Sequence, residues 1–223
     1  MPLKVAIVPV TLFAQNCSIL VEQASGRAAI VDPGGDLPNI RAAIDELKVT
    51  PEKIFLTHGH IDHAGGAAEL AEALAIPVEG PAEADAFLLA RLAESGRQFR
   101  MAEARAVTPD RWLKEGDTIE FGGIALDVLA VPGHTPGHLV FVHAAARLAI
   151  VGDTLFAGSV GRTDLPYGDH ATLIRGIQEK LLPLGDDFTI LPGHGPASTI
   201  GAERQSNPFL RAPSHPSSAR VGG

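Results

Sequence analysis

The chain has 223 residues, 45% hydrophobic, 20% charged and 5% aromatic, with a net charge of -8 and an isoelectric point near 5.5. That length buries a sizeable core in one large domain or two tightly joined halves. The acidic balance argues against a general nucleic-acid or membrane surface, because counterion release needs clustered Lys and Arg. Cys17 is the single cysteine, so no intrachain disulfide forms and a reducing compartment is expected.

Lys4 followed by an apolar run imitates a signal peptide, but Pro9 interrupts the run and no small-residue cleavage site follows cleanly. The segment reads as a first strand. No stretch approaches the roughly 20 apolar residues that span a bilayer, and a cytoplasmic protein is expected. Strand-like runs at 4–10, 17–22 and 28–32 come next, β-branched and separated by turn residues. Asp32-Pro33-Gly34-Gly35 reads as a turn into a helix with Leu37, Ile40, Ile44 and Leu47 on one face. A strand at 53–56 precedes a helix carrying Ala67, Leu70, Ala71 and Leu74. Residues 76–79 are extended and 82–94 helical.

Periodicity weakens over 95–111, where a join between two halves is expected. Strands resume at 118–121, a Gly122-Gly123 hairpin, 124–131, 138–143 and 147–151. Asp169 or a neighbour caps a helix that turns Leu173, Ile174, Ile177, Leu181 and Leu182 inward, and 188–191 is the last strand. Residues 1–210 form the domain; 211–223, rich in Pro, Ser, Arg and Gly, read as a disordered tail. Strands followed by helices in each half suit an α/β chain, two sheets face to face with helices outside, in a four-layer α/β/β/α sandwich.

The chemistry starts at Thr57-His58-Gly59-His60-Ile61-Asp62-His63, just past the strand at 53–56. Near a strand end His58 and His60 project to one side, because the side-chain period is two. A turn at Ile61 then brings Asp62 and His63 round at the start of the next helix. Nitrogen and carboxylate oxygen suit Zn(II), and imidazole also suits Fe(II). A charged loop entering a helix seldom produces such a string by chance. Three more candidates follow apolar strands and a glycine: His134, Asp153 and His194. Each alone reads more readily as a turn or cap; together with the first string they read as a site.

At these residues the chain resembles the metallo-β-lactamase superfamily, and within it the short, single-domain glyoxalase II-like hydrolases. The resemblance runs from Gln15-Asn16-Cys17 to Asn207-Pro208-Phe209. It includes His134-Thr135-Pro136-Gly137-His138, Gly152-Asp153-Thr154-Leu155-Phe156 and Gly161-Arg162-Thr163-Asp164. It implies that His58, His60 and His134 hold one divalent ion, that Asp62, His63 and His194 hold a second, and that Asp153 bridges them. Zinc is the first expectation, iron or manganese the alternatives. Two such ions lower the pKa of water to about 7 or below, and hydroxide attacking a thioester carbonyl is the implied reaction. Asp62 is the expected catalytic carboxylate and orients the hydroxide.

S-lactoylglutathione is the natural test substrate for that reading, a small-molecule thioester. Longer glyoxalase II enzymes carry a C-terminal helical extension that supplies basic residues to glutathione. Here Arg211 and Arg220 are poor replacements, and a more open site with broader thioesterase activity is expected. Arg162 is the candidate contact for an anionic substrate, with a plain surface arginine as the competing reading. Cys17 reads as core, His138 as a supporting residue, and His143, His170 and His215 as surface. The competing function is a glutathione persulfide dioxygenase, which resembles the chain at Gly161-Arg162-Thr163-Asp164 and uses one Fe(II) on the positions of His58, His134 and Asp153. A true β-lactamase is disfavoured by an aspartate in the bridging place, and a nuclease by the acidic charge.

Overall fold

The computed structural model describes residues 2–211, so the expected disordered tail beyond its first residue, with His215 and Arg220, lies outside the described residues. Strands β1 (Leu3–Val10), β2 (Gln15–Glu22) and β3 (Arg27–Val31) form an antiparallel meander. Helix α1 (Leu37–Leu47) crosses to β4 (Thr50–Phe55), which lies parallel to β3. The short α2 (Ile61–Ala64) and α3 (Ala67–Leu74) lead to β5 (Val78–Glu79), parallel to β4. Helices α4 (Ala86–Ala90) and α5 (Leu92–Phe99) follow, and the first sheet has the order β1-β2-β3-β4-β5.

The second sheet begins with β6 (Thr118–Phe121), β7 (Ile124–Ala130), β8 (Leu139–His143) and β9 (Leu148–Gly152), all antiparallel neighbours. A small hairpin, β10 (Leu155–Phe156) and β11 (Ser159–Val160), precedes α6 (His170–Gly176). Strand β12 (Thr189–Pro192) then pairs parallel with β9 and β13 (Ser198–Thr199) closes the edge, giving the order β13-β12-β9-β8-β7-β6, and α7 (Ile200–Ser206) follows.

Alternation along the central strands builds the layers. Cys17, Ile19 and Val21 of β2 join a core with α1, α3 and α5, while Leu20 faces the other way. Ala28 and Ile30 against Ala29 and Val31 divide β3 likewise, as Val140 and Val142 against Leu139 and Phe141 divide β8. The inward-facing set from both sheets is one core, with the Phe55 and Phe141 rings 5.9 Å apart across it. Because these strands are buried on both faces, they read as continuous apolar runs. The result is the four-layer α/β/β/α sandwich.

Asp169 caps α6 by accepting the Thr172 amide at 3.0 Å, with Leu173, Ile177 and Leu181 buried. The helix expected over 82–94 is instead a 3₁₀ turn, Glu83–Asp85, followed by α4 and then α5, which runs on to Phe99. Leu89 and Leu92 face the core, but Phe87 and Phe99 are 41% and 40% exposed on another side. Apolar residues on two faces blur the helical period. Among the described residues, no helix is long and apolar enough to cross a membrane.

Candidate metal centre

The strands β3, β4, β9 and β12 are two parallel pairs, and their carboxyl ends meet the loop after β7 at one edge of the sandwich. Such an edge is where α/β folds place ligands. Asp32 follows β3, His58 and His60 follow β4, His134 follows β7, Asp153 follows β9 and His194 follows β12. His60 caps the one-turn α2, whose turn carries Asp62 and His63. Gly193 permits the convergence, since a Cβ there would run into the Asp153 carboxylate.

Of the seven residues singled out in sequence, six fall into two groups of three and the seventh, Asp153, lies between them. Ligand-capable atoms of His58, His60 and His134 lie within 4.8 Å of one another, and so do those of Asp62, His63 and His194. His58 Nε2 and His134 Nε2 stand 3.1 and 2.9 Å from His60 Nδ1. His194 Nε2 is 3.1 Å from Asp62 Oδ2. Asp153 lies between the groups, Oδ1 at 3.3 Å from His63 Nε2 and Oδ2 at 3.5 and 3.6 Å from the Nε2 atoms of His194 and His134.

The outward nitrogens decide where the inner lone pairs lie. His134 Nδ1 donates to the Arg162 carbonyl at 2.8 Å and His194 Nδ1 to the Phe13 carbonyl at 3.2 Å. His63 Nδ1 donates to Asp32 Oδ2 at 2.9 Å. The Thr57 hydroxyl gives its proton to Asp32 Oδ2 at 2.6 Å, so it accepts from His58 Nδ1 at 3.0 Å. In these four rings the neutral tautomer presents Nε2 inward as a lone pair, the second-sphere pattern of metal-ligating histidines. His60 Nε2 meets the Tyr167 hydroxyl at 2.8 Å, which takes either role. His63 Nε2 and Asp153 Oδ1 are buried without a hydrogen-bond partner. Ligands about 2 Å from a tetrahedral ion stand about 3.3 Å apart. These donors and spacings therefore fit divalent cations.

Burial presses His58 well below the ordinary histidine value, and takes His60, beside His134, down to about 3. Burial acts against a charge on His63 too, but Asp153, Asp62 and Asp32 outweigh it and raise its proton affinity well above normal. His194 is raised in the same way, burial being outweighed by Asp62 and Asp153. For the Asp62 and Asp153 carboxylates, burial is overcome by His63 and its neighbours, so both lie below the usual carboxylate range.

Two carboxylates escaped the sequence reading. Asp32, read there as part of a turn, is buried with φ 52° and joins Thr57, through its amide at 2.8 Å and its hydroxyl, to His63. Its signal was the one used elsewhere, an acid after an apolar strand and before Pro-Gly. Asp85 is fully buried and accepts the Gly59 amide at 2.9 Å, the Gly137 amide at 2.6 Å and the Thr135 hydroxyl at 2.8 Å. It thereby fastens the loop of His58 and His60 to that of His134. Burial raises its pKa against these donors. His138 stacks on His58 at 4.7 Å and accepts the Asp153 amide at 3.0 Å, a supporting place. Arg162 sits at the mouth with its guanidinium on Asp164, at 2.8 and 2.9 Å. The groups open on a cleft of about 670 Å³ whose remaining walls include Phe13, Leu88, Phe156, Val160, Leu165 and Tyr167.

The family model of the metallo-beta-lactamase superfamily matches residues 10–194. The hydroxyacylglutathione hydrolase GloC of Haemophilus influenzae is 43% identical over 213 residues, 95% of this chain and 100% of that protein. The crystal structure of the BLEG-1 B3 metallo-beta-lactamase superposes with a TM-score of 0.86 at 32% identity, covering 94% of this chain and 100% of that one. TTHA1623 in a di-iron-bound form gives 0.83 at 34%, covering 92% and 100%. With the fold, the seven converging side chains and these likenesses together, the chain belongs to the metallo-beta-lactamase superfamily.

Proposed function

We propose that the chain is a dinuclear metal-dependent hydrolase of thioesters of the S-lactoylglutathione kind, working in the cytoplasm. His58, His60 and His134 would hold one ion, Asp62, His63 and His194 the other, and Asp153 both. The observation that carries the reading is the Asp153 carboxylate, which reaches a histidine of each group within 3.6 Å. When bound, paired divalent ions polarise a carbonyl and lower the pKa of water to about 7. Zinc is the first choice for this donor set, and iron is supported by the similarity to a protein crystallised with two irons.

The chain's own groups fit carbonyl attack by water. Asp62 keeps an ionised carboxylate at the edge of the cleft, 3.1 Å from His194 Nε2, where it accepts a hydrogen bond from water and orients the attacking oxygen. A thiol leaving group has a pKa near 8.5, so it departs as thiolate with little need of a protein acid. Arg162 fixes the His134 ring through its carbonyl and presents its guanidinium to the anionic arm of the substrate. The likeness to a hydroxyacylglutathione hydrolase over 95% of the chain supports glutathione as that arm.

Elemental analysis of the purified protein, coupled to turnover of S-lactoylglutathione, tests the reading. Two metals per chain with thioester cleavage is the expected result. One iron per chain, oxygen uptake with glutathione persulfide and no thioester cleavage would replace it with the dioxygenase.

A further inference from the structure

One wall of the cleft comes from two successive short helices, with Arg91 at the turn between them. Phe87, Arg91, Ser95 and Phe99 recur every fourth residue across α4 and α5, and all four line the cleft. Both aromatic ends are pinned. Phe87 packs edge-on against Tyr167 at 5.3 Å, and Phe99 against Phe13 at 5.5 Å. Between them lie the polar Arg91 and Ser95. Apolar side chains at both ends of a central cation are poorly matched to a small, uncharged acyl group alone.

Arg91 has a counterpart from the other half of the chain. Its Nε and NH2 hold Glu94 at 2.9 and 3.1 Å, just as Nε and NH2 of Arg162 hold Asp164. In both, NH1 makes no hydrogen bond among the described residues. Each fork is thus oriented by an exposed neighbouring carboxylate and keeps one edge free at the cleft. Exposed ion pairs of this kind are weak, so a ligand carboxylate can share or displace them at small cost. A guanidinium fork also suits a carboxylate better than a point charge does. Tyr167, with its hydroxyl on His60 and its ring against Phe87, links this mouth to the first histidine group.

We infer that the Phe87-Arg91-Ser95-Phe99 face cradles the thiol arm of an anionic thioester, with Arg91 and Arg162 taking carboxylates of that arm from the two halves of the chain. The inference rests on the thioester reading for the identity of the ligand, and it makes Arg91 a specificity-determining residue.

The test is binding of an inert thioether, S-hexylglutathione, measured calorimetrically on the metal-loaded protein beside the neutral S-hexyl-N-acetylcysteamine. The wild type should prefer the glutathione compound by about tenfold or more, the preference shrinking as salt is raised. Arg91→Ala and Arg162→Ala should each remove most of that preference while binding of the neutral compound persists. Arg97→Ala, on α5 but not lining the cleft, should keep it. Equal affinity of the wild type for the two compounds, absence of binding, or an undiminished preference in Arg91→Ala overturns the inference. The two readings fail separately. Loss of selectivity with thioester cleavage intact removes the cradle alone; selectivity without metal-dependent cleavage removes the hydrolase alone.

Discussion

The two ligand groups are built on different principles. The group of His58, His60 and His134 contains only imidazoles, and its rings are anchored by neutral oxygens, those of Thr57, Tyr167 and the Arg162 carbonyl. The group of Asp62, His63 and His194 carries a carboxylate of its own, and His63 is anchored by another, Asp32. An anionic anchor raises the basicity of the ring it holds, so His63 is the stronger donor. The first group depends on burial and mutual packing for its low proton affinity, the second on surrounding charge. Asp153 reaches both from the cleft side, while Asp32 lies behind, with ligand-capable atoms within 4.8 Å of one histidine of each, His58 and His63.

Removing Asp153 therefore has the largest expected effect. Asp153→Ala should lower metal content at both groups and cut turnover by more than about a hundredfold, beyond the 10- to 100-fold usual for outer partners. Metal analysis and thioester kinetics on the same preparation check this. Retention of one full equivalent with the other lost would show that the carboxylate serves one group only.

A smaller, paired effect separates the anchors. Asp32→Asn replaces a carboxylate acceptor facing His63 Nδ1 and the Thr57 hydroxyl, both within 2.9 Å. The second group should lose about 10- to 100-fold in metal affinity by chelator competition. Thr57→Val is nearly isosteric, removes the oxygen behind His58 and leaves the contact of His63 with Asp32 in place. It should weaken the first group and spare the second. If both variants weaken the same ion, the division into neutrally and anionically anchored groups is wrong.

The sequence carried the inner residues and lost the ones behind them. His58 to His63 stand together in the chain, and His134, Asp153 and His194 each close an apolar strand, so a local pattern exposes them. Asp32 has the same local pattern, but Pro-Gly-Gly after it gives a sufficient reason for a turn, and nothing nearby in sequence names Thr57 or His63 as partners. Asp85 has no local signal at all. It begins a helical segment among alanines, and its three donors come from residues 26 to 52 positions away. The layers were legible because residues alternating between two cores leave long apolar strands. The β10 and β11 hairpin was not, since two-residue strands carry no period. The cleft wall was hidden for the opposite reason, its exposed phenylalanines looking like core.

Tyr167 should give the smallest effect of the anchors. Its hydroxyl meets His60 Nε2 at 2.8 Å, yet both residues are half-buried at the cleft, where water reaches them. Tyr167→Phe keeps the ring against Phe87, and a water can take over the contact with Nε2 at little cost. The first group should lose no more than about threefold in metal affinity, under about 1 kcal/mol. Chelator competition on Tyr167→Phe beside Thr57→Val reads the difference directly. A loss as large as that of Thr57→Val would mean that hydrogen-bond geometry outweighs burial in holding the neutral group, because Thr57 is fully buried and Tyr167 is only half-buried.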